Sequence, residues 1–270
     1  MKQFLTVVCL LSIIMGCFFK DHEKTISSTG DNWKYDSTKH FKLRAQKGVR
    51  SQDSMQPIGE KIEIIQQELL SILKESEPQY LEVYFLKDRE TLTSYTGLPA
   101  KGYTDTEKGI IYFVDKEPSH LAFRHELMHA LSWRLWGNPK GFWLSEGIAV
   151  FASRNCAGYD LHALAHAVSK QNKIVSFKSL TETFDFRSLE PSLQSASFVQ
   201  YIYDNYGVTA LKKFWQSGLK NSNNIIDVSA IQLEKRWRKY IDQEKFETDI
   251  DWTKLNKVDV SNISDDNKFS

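Results

Sequence analysis

His125-Glu126-Leu127-Met128-His129 sets two imidazoles four positions apart, with a carboxylate beside the first. On a helix, positions i and i+4 share a face, with Cβ atoms about 5–6 Å apart. Both rings can then reach one zinc ion at about 2.0–2.1 Å. Glu126 is one residue from His125, about 100° of helix rotation, so it misses the metal and faces the metal's water. The expected chemistry is hydrolytic: zinc lowers the pKa of its water toward about 7, and Glu126 takes the proton as general base. Leu121, Ala122, Phe123, Leu127, Met128, Ala130, Leu131 and Leu135 surround the motif. Such a helix is buried, and a bound cation compensates the desolvation of its histidines and glutamate.

A tetrahedral site needs a third protein ligand and one open position. Glu146 is the candidate, within Trp143-Leu144-Ser145-Glu146-Gly147-Ile148-Ala149. Between it and His129 lies Gly137-Asn138-Pro139-Lys140-Gly141, a turn cluster. A helix, a short turn and a returning helix bring Glu146 against His129. The expected set is therefore His125, His129 and Glu146 for the metal, Zn2+, with Glu126 as base. Other histidines read differently. His162 and His166 are also four apart, but they lack an intervening glutamate or a nearby third ligand. They read as helix surface or cleft rim, and His120 as a first-turn surface residue. Trp133, four after His129, either walls the site or packs in the core.

The elements that must position these groups read as α+β, strands before helices. Phe41, Leu43 and Ala45 alternate with Lys42 and Arg44, the period of a half-buried strand. Ile62, Ile65, Leu69, Leu70 and Leu73 recur at helical spacing after Pro57, and Pro78 is expected to end that helix. Residues 81–86 and 109–114 read as two further strands. Between them Asp88 caps a short helix that stops at Gly97. Ser119 is placed as N-cap of the motif helix and Gly137 as its stop. Beyond Pro118 the chain reads helical, with breaks near Gly137, Gly158, Pro191, Gly207 and Gly218.

With the motif and the Glu146 segment in hand, the chain resembles the gluzincin clan of zinc metallopeptidases, and within it the peptidase-MA-like group of exported bacterial proteins. His40-Phe41, Ser197-Phe198-Val199-Gln200-Tyr201 and Tyr206-Gly207 are similar to segments of that group. The resemblance covers residues 38–242. It implies a zincin-like fold, with a small mixed sheet packed on the motif helix and a mainly helical subdomain after it. It implies a zinc-dependent peptidase acting on a peptide or protein substrate. The chain lacks the Gly-x-Met-Glu-Asn segment of the aminopeptidase branch, so that activity is not implied. Many members carry a tyrosine that donates to the oxyanion. Where it often lies, this chain has Pro191-Ser192-Leu193-Gln194, which leaves Tyr201 as the candidate. Without such a donor the alternative is a catalytically silent, zinc-stabilised binding lipoprotein of the cell envelope.

The amino terminus reads as a targeting signal. Lys2 precedes an apolar run over residues 4–16, too short for a helix that spans a bilayer and suited to a secretory signal. Ile14-Met15-Gly16-Cys17 resembles the bacterial lipoprotein signal, which implies cleavage before Cys17 and a lipid anchor on it. The alternative is an ordinary signal peptide with Cys17 incidental. The expected organisation is a signal over 1–16 and a polar tether over 17–37. A domain over 38–243 follows, its sheet and motif helix in 38–137 and its helical part in 138–243. A polar tail over 244–270 ends the chain, and Trp252 is the tail residue expected to dock back. The expected location is the bacterial cell envelope, lipid-anchored on a membrane surface.

The 270 residues carry 35 basic and 34 acidic side chains, a formal charge of +1. That balance argues against a nucleic-acid partner. Lys235-Arg236-Trp237-Arg238-Lys239-Tyr240 reads as a solvated helix face with Trp237 turned inward. Three cysteines exclude a disulfide framework, and Cys156 reads as a small buried hydrophobe.

Overall fold

The alternation of Phe41, Leu43 and Ala45 does produce a strand, and those three side chains enter the main core. The computed structural model describes residues 33–50, 54–114, 120–153, 155–156, 158–185, 188–243, 246 and 250–252. The signal segment, Cys17, Ser119 and most of the tail lie outside them. The first half builds a mixed five-stranded sheet from β1 (Trp33–Ser37), β2 (Phe41–Gln46), β3 (Leu81–Phe85), β4 (Gly102–Asp105) and β5 (Ile110–Phe113). Its order is β1-β2-β3-β5-β4. The three central strands are parallel, and the two edge strands pair antiparallel to their neighbours.

Helix α1 (Met55–Leu73) crosses from β2 to β3 and covers one face of the sheet with Ile62, Ile65 and Leu69. Helix α2 (Arg89–Thr96) lies over the other face, where Leu92 packs with Tyr84 and Tyr112. Its caps are as the sequence predicts: Asp88 accepts from Thr91 N–H, and Gly97 adopts φ 74°. Helix α1 ends earlier than Pro78, because Lys74 takes the left-handed conformation and donates to Leu70 and Ser71. The strand β1 also corrects the expected tether, since Trp33–Ser37 pairs with β2 from Trp33↔Gln46 to Ser37↔Lys42.

Helices α3 (His120–Trp136) and α4 (Phe142–Ala152) form a hairpin across residues 137–141. Gly137 has φ 80°, a conformation that a residue without Cβ adopts at no steric cost. The hairpin turn is clamped from the distant helix α7 (Leu189–Ser217). Trp215 Nε1 donates to Gly137 O at 2.7 Å, and Lys140 N–H donates to Trp215 O at 2.7 Å. A two-stranded ribbon, β6 (Asn155–Cys156) and β7 (Tyr159–Asp160), leads into α5 (Leu161–Lys170) and α6 (Phe177–Glu182). Pro191 does not break α7; it sits in the first turn, where a missing N–H costs nothing. Gly207, at φ 79°, kinks α7, and Gly218 ends it. The short α8 (Ser222–Ile226) and α9 (Ala230–Ile241) complete the helical half. Trp237 is fully buried on α9, and Trp252 packs against the same core. Cys156 is buried in that core too. Among the described residues no helix is long and apolar enough to cross a membrane.

Candidate metal centre

Helix α3 lies against the sheet, with Phe123 edge-on to Phe113 of β5 at 4.8 Å between ring centroids. Its register is held further by Arg124, whose Nε donates to Ala152 O at the end of α4 and whose guanidinium pairs with Glu68 of α1. These contacts aim His125 and His129 at α4. The two Nε2 atoms lie 3.2 Å apart. Glu146 completes the group: Oε2 is 3.7 Å from His125 Nε2, and Oε1 is 3.6 Å from His129 Nε2. Among the described residues this is the group of histidine, cysteine and acidic side chains that can hold a metal ion.

What pushes α4 close enough is α7. Gly147 leaves so little room that a Cβ there would lie 2.9 Å from Ser195 O and 2.9 Å from Val199 Cγ2. Trp143 and Phe198 add a ring contact at 5.9 Å. The side chain of Glu146 keeps 22% exposure, so the group has an open side, whereas the imidazoles are 10% and 12% exposed.

Burial sets the charges. It depresses His125 to about 4, and burial together with His125 depresses His129 well below its usual range. Both rings are therefore neutral at neutral pH, the form that ligates metals. Burial raises Glu146 to about 7 and Glu126 to about 8; a Thr104 hydrogen bond opposes the rise of Glu126, and Glu146 adds to it. His125 Nδ1 is buried with no hydrogen-bond partner. A cluster so costly to ionise gains from a cation that would favour both carboxylates in their charged form.

Glu126 stands apart from the three. Thr104 Oγ1 donates to Glu126 Oε2 at 2.6 Å and lies 3.0 Å from Glu126 O. The strand β4 that carries Thr104 passes so near that a Cβ at Gly102 would sit 2.7 Å from Glu126 Oε1. Sequence reasoning missed β4 and with it both residues. The signal was present in Asp105-Thr106-Glu107-Lys108-Gly109, where Asp105 accepts from Lys108 N–H and Gly109 has φ 70°. Those are hairpin-turn features that lead into β5. Ser145 was also read without a role, and it contacts both His129 and Trp133.

The ring of Tyr201 packs with Tyr206 at 6.2 Å and Tyr240 at 5.2 Å, between α7 and α9. Burial, then the neighbouring Tyr206, pushes its phenol up to about 12. His162 and His166 are not surface residues. Both are 3% exposed, because α5 packs between α7 and α9. His162 Nδ1 lies 2.9 Å from Ser197 Oγ, and His166 Nδ1 donates to Ile241 O at 2.7 Å. His40 pairs with Glu63 at 2.8 Å and ties β2 to α1. His120 is exposed, as expected. Comparison with family models and with curated proteins finds no match to this chain.

Proposed function

We propose that the protein is a zinc-dependent peptidase of zincin-like architecture. The observation that carries this reading is the convergence of His125 Nε2, His129 Nε2 and Glu146 on one point, with Glu126 held separately by Thr104. A tetrahedral site with ligand distances of 2.0–2.1 Å has edges of about 3.3 Å. The three donors are 3.2–3.7 Å apart. Two imidazoles and one carboxylate suit zinc better than magnesium or calcium, which prefer all-oxygen sets. His125, His129 and Glu146 would hold the ion. Zinc bound there supplies Lewis acidity toward a peptide carbonyl and toward water.

The remaining steps belong to the chain. Glu126 takes a proton from the attacking water and delivers it to the leaving amine as the C–N bond breaks. Thr104 holds one carboxylate oxygen, and the other lies against Gly102 of the same strand. We give Tyr201 no part in this reading, because its ring is packed with Tyr206 and Tyr240. That placement is what favours the rival reading, a catalytically silent zinc-stabilised binding protein. The lipid-anchored location belongs to the same proposal and rests on residues 2–17.

Elemental analysis of purified protein with a digest of a diverse peptide pool tests the reading. About one zinc per chain and cleavage that Glu126→Gln lowers about 10²–10⁴-fold are expected. No zinc in wild type refutes the ligand set. Zinc without cleavage replaces the peptidase by the binding protein. For the anchor, the protein should partition into detergent, and Cys17→Ala should release it; an unlipidated mature terminus refutes this.

A further inference from the structure

Ser145 precedes Glu146 and is 2% exposed. Its Oγ accepts the indole N–H of Trp133 at 3.0 Å and lies 3.0 Å from His129 Nδ1. An indole nitrogen can only donate, so Trp133 occupies one lone pair of the hydroxyl and fixes where Oγ sits. The two nitrogens of His129 face different ways: Nε2 toward His125 and Glu146, Nδ1 toward Ser145. A neutral imidazole carries one proton. On Nε2 that proton blocks the lone pair a metal needs; on Nδ1 it donates to Ser145.

We infer that Trp133 and Ser145 are a positioning pair for His129. When the ring carries its proton on Nδ1, Ser145 Oγ, placed by the Trp133 N–H, accepts it and holds the bare Nε2 toward His125 and Glu146. This rests on the metal reading above. It also makes the two histidines unequal. His129 is anchored through its outer nitrogen, whereas the outer nitrogen of His125, Nδ1, is buried with no partner. The arrangement spans both helices of the hairpin, since Trp133 and His129 are on α3 and Ser145 is on α4. The pair therefore ties closure of the hairpin to competence of the ligand.

Partners of a ligating histidine's outer nitrogen typically contribute about 10–100-fold in metal affinity. The test measures zinc affinity of the full purified chain by competition with a chromogenic chelator, so it needs no substrate. Ser145→Ala should weaken zinc by about 10–100-fold. Trp133→Phe, which keeps a ring against Trp215, should weaken it less, because Nδ1 retains its acceptor. The double variant should bind no more weakly than Ser145→Ala alone, since the pair is already broken. Ser145→Thr, which keeps an acceptor oxygen, should restore binding, and it carries the test if Ser145→Ala fails to fold. Wild-type affinity in Ser145→Ala, or fully additive losses, would overturn the inference. So would a lowered melting point of the metal-free Ser145→Ala chain with unchanged zinc affinity, which marks the pair as packing. Zinc bound by wild type and lost from His129→Ala supports the site independently of the pair. Absence of zinc from wild type removes the proposed function and this inference with it.

Discussion

Glu126 and Glu146 are both carboxylates on the hairpin, the first buried and the second partly exposed, and their surroundings differ. Glu146 faces two imidazole nitrogens, and Glu126 faces a threonine hydroxyl. Glu126→Gln should keep its zinc and lose about 10²–10⁴-fold in hydrolysis, the usual cost of removing a general base. Glu146→Gln should bind zinc more weakly, because a neutral amide is a poor ligand. Metal content of the two variants side by side decides the matter: if the losses are exchanged, the roles are exchanged. The carboxylate of Glu126 is also held in place from β4. Gly102→Ala would set a methyl 2.7 Å from Oε1 and drive the carboxylate aside. A displacement of that kind is expected to lower kcat on the order of 10²-fold with zinc content unchanged. Thr104→Val removes the 2.6 Å bond and should lower kcat with KM preserved, and Thr104→Ser should restore it. A rise in KM alone would show that β4 binds substrate without aligning the base.

At the scale of elements, the site depends on how closely α4 lies against α7. Gly147 is a close approach, where any Cβ meets a backbone oxygen that cannot swing away. Gly147→Ala is expected to cost about 1–3 kcal/mol, the range for overpacking a filled interior. Because Glu146 is the neighbouring residue, the same shift of α4 should weaken zinc binding. Denaturant unfolding together with a zinc titration checks both, and an unchanged chain would mean that α7 yields without moving α4. The hairpin of α3 and α4 was legible in the sequence because each part is local. The motif histidines share a face by helical periodicity, and Gly137 and the turn residues carry the stop. The strand β4 was legible only through the turn that follows it. It has four residues, and only its pairing with β5 and its contact with α3 make it a strand.

For the whole molecule, the buried ionisable groups predict how the metal-free protein responds to pH. Glu126 is held near 8 by burial, against 4.5 as an ordinary carboxyl. From about pH 4.5 to 8 the folded chain keeps a proton that the unfolded chain has released, so this group lowers stability as pH rises. His125, held near 4 by burial against 6.5, acts in the opposite sense and adds stability only up to about pH 6.5. Above that the carboxylates act alone. Metal-free protein should lose stability between about pH 6.5 and 8, and Glu126→Gln should flatten the loss. Urea unfolding across that range tests it, and stability rising with pH there would show that Glu126 is not desolvated. Saturating zinc should offset the loss by binding only the folded chain. Local spacing was enough to specify the strand-then-helix order, the caps of α2, and the paired histidines with Glu146 opposite, because helical periodicity and turn chemistry are properties of neighbouring residues. Long-range packing settled that Thr104 holds Glu126, that Ser145 meets His129, that Tyr201 turns toward Tyr206 and Tyr240, and that His162 and His166 are buried. Each of those outcomes depends on a partner many residues away, and no local periodicity records which face of a helix a distant segment will cover.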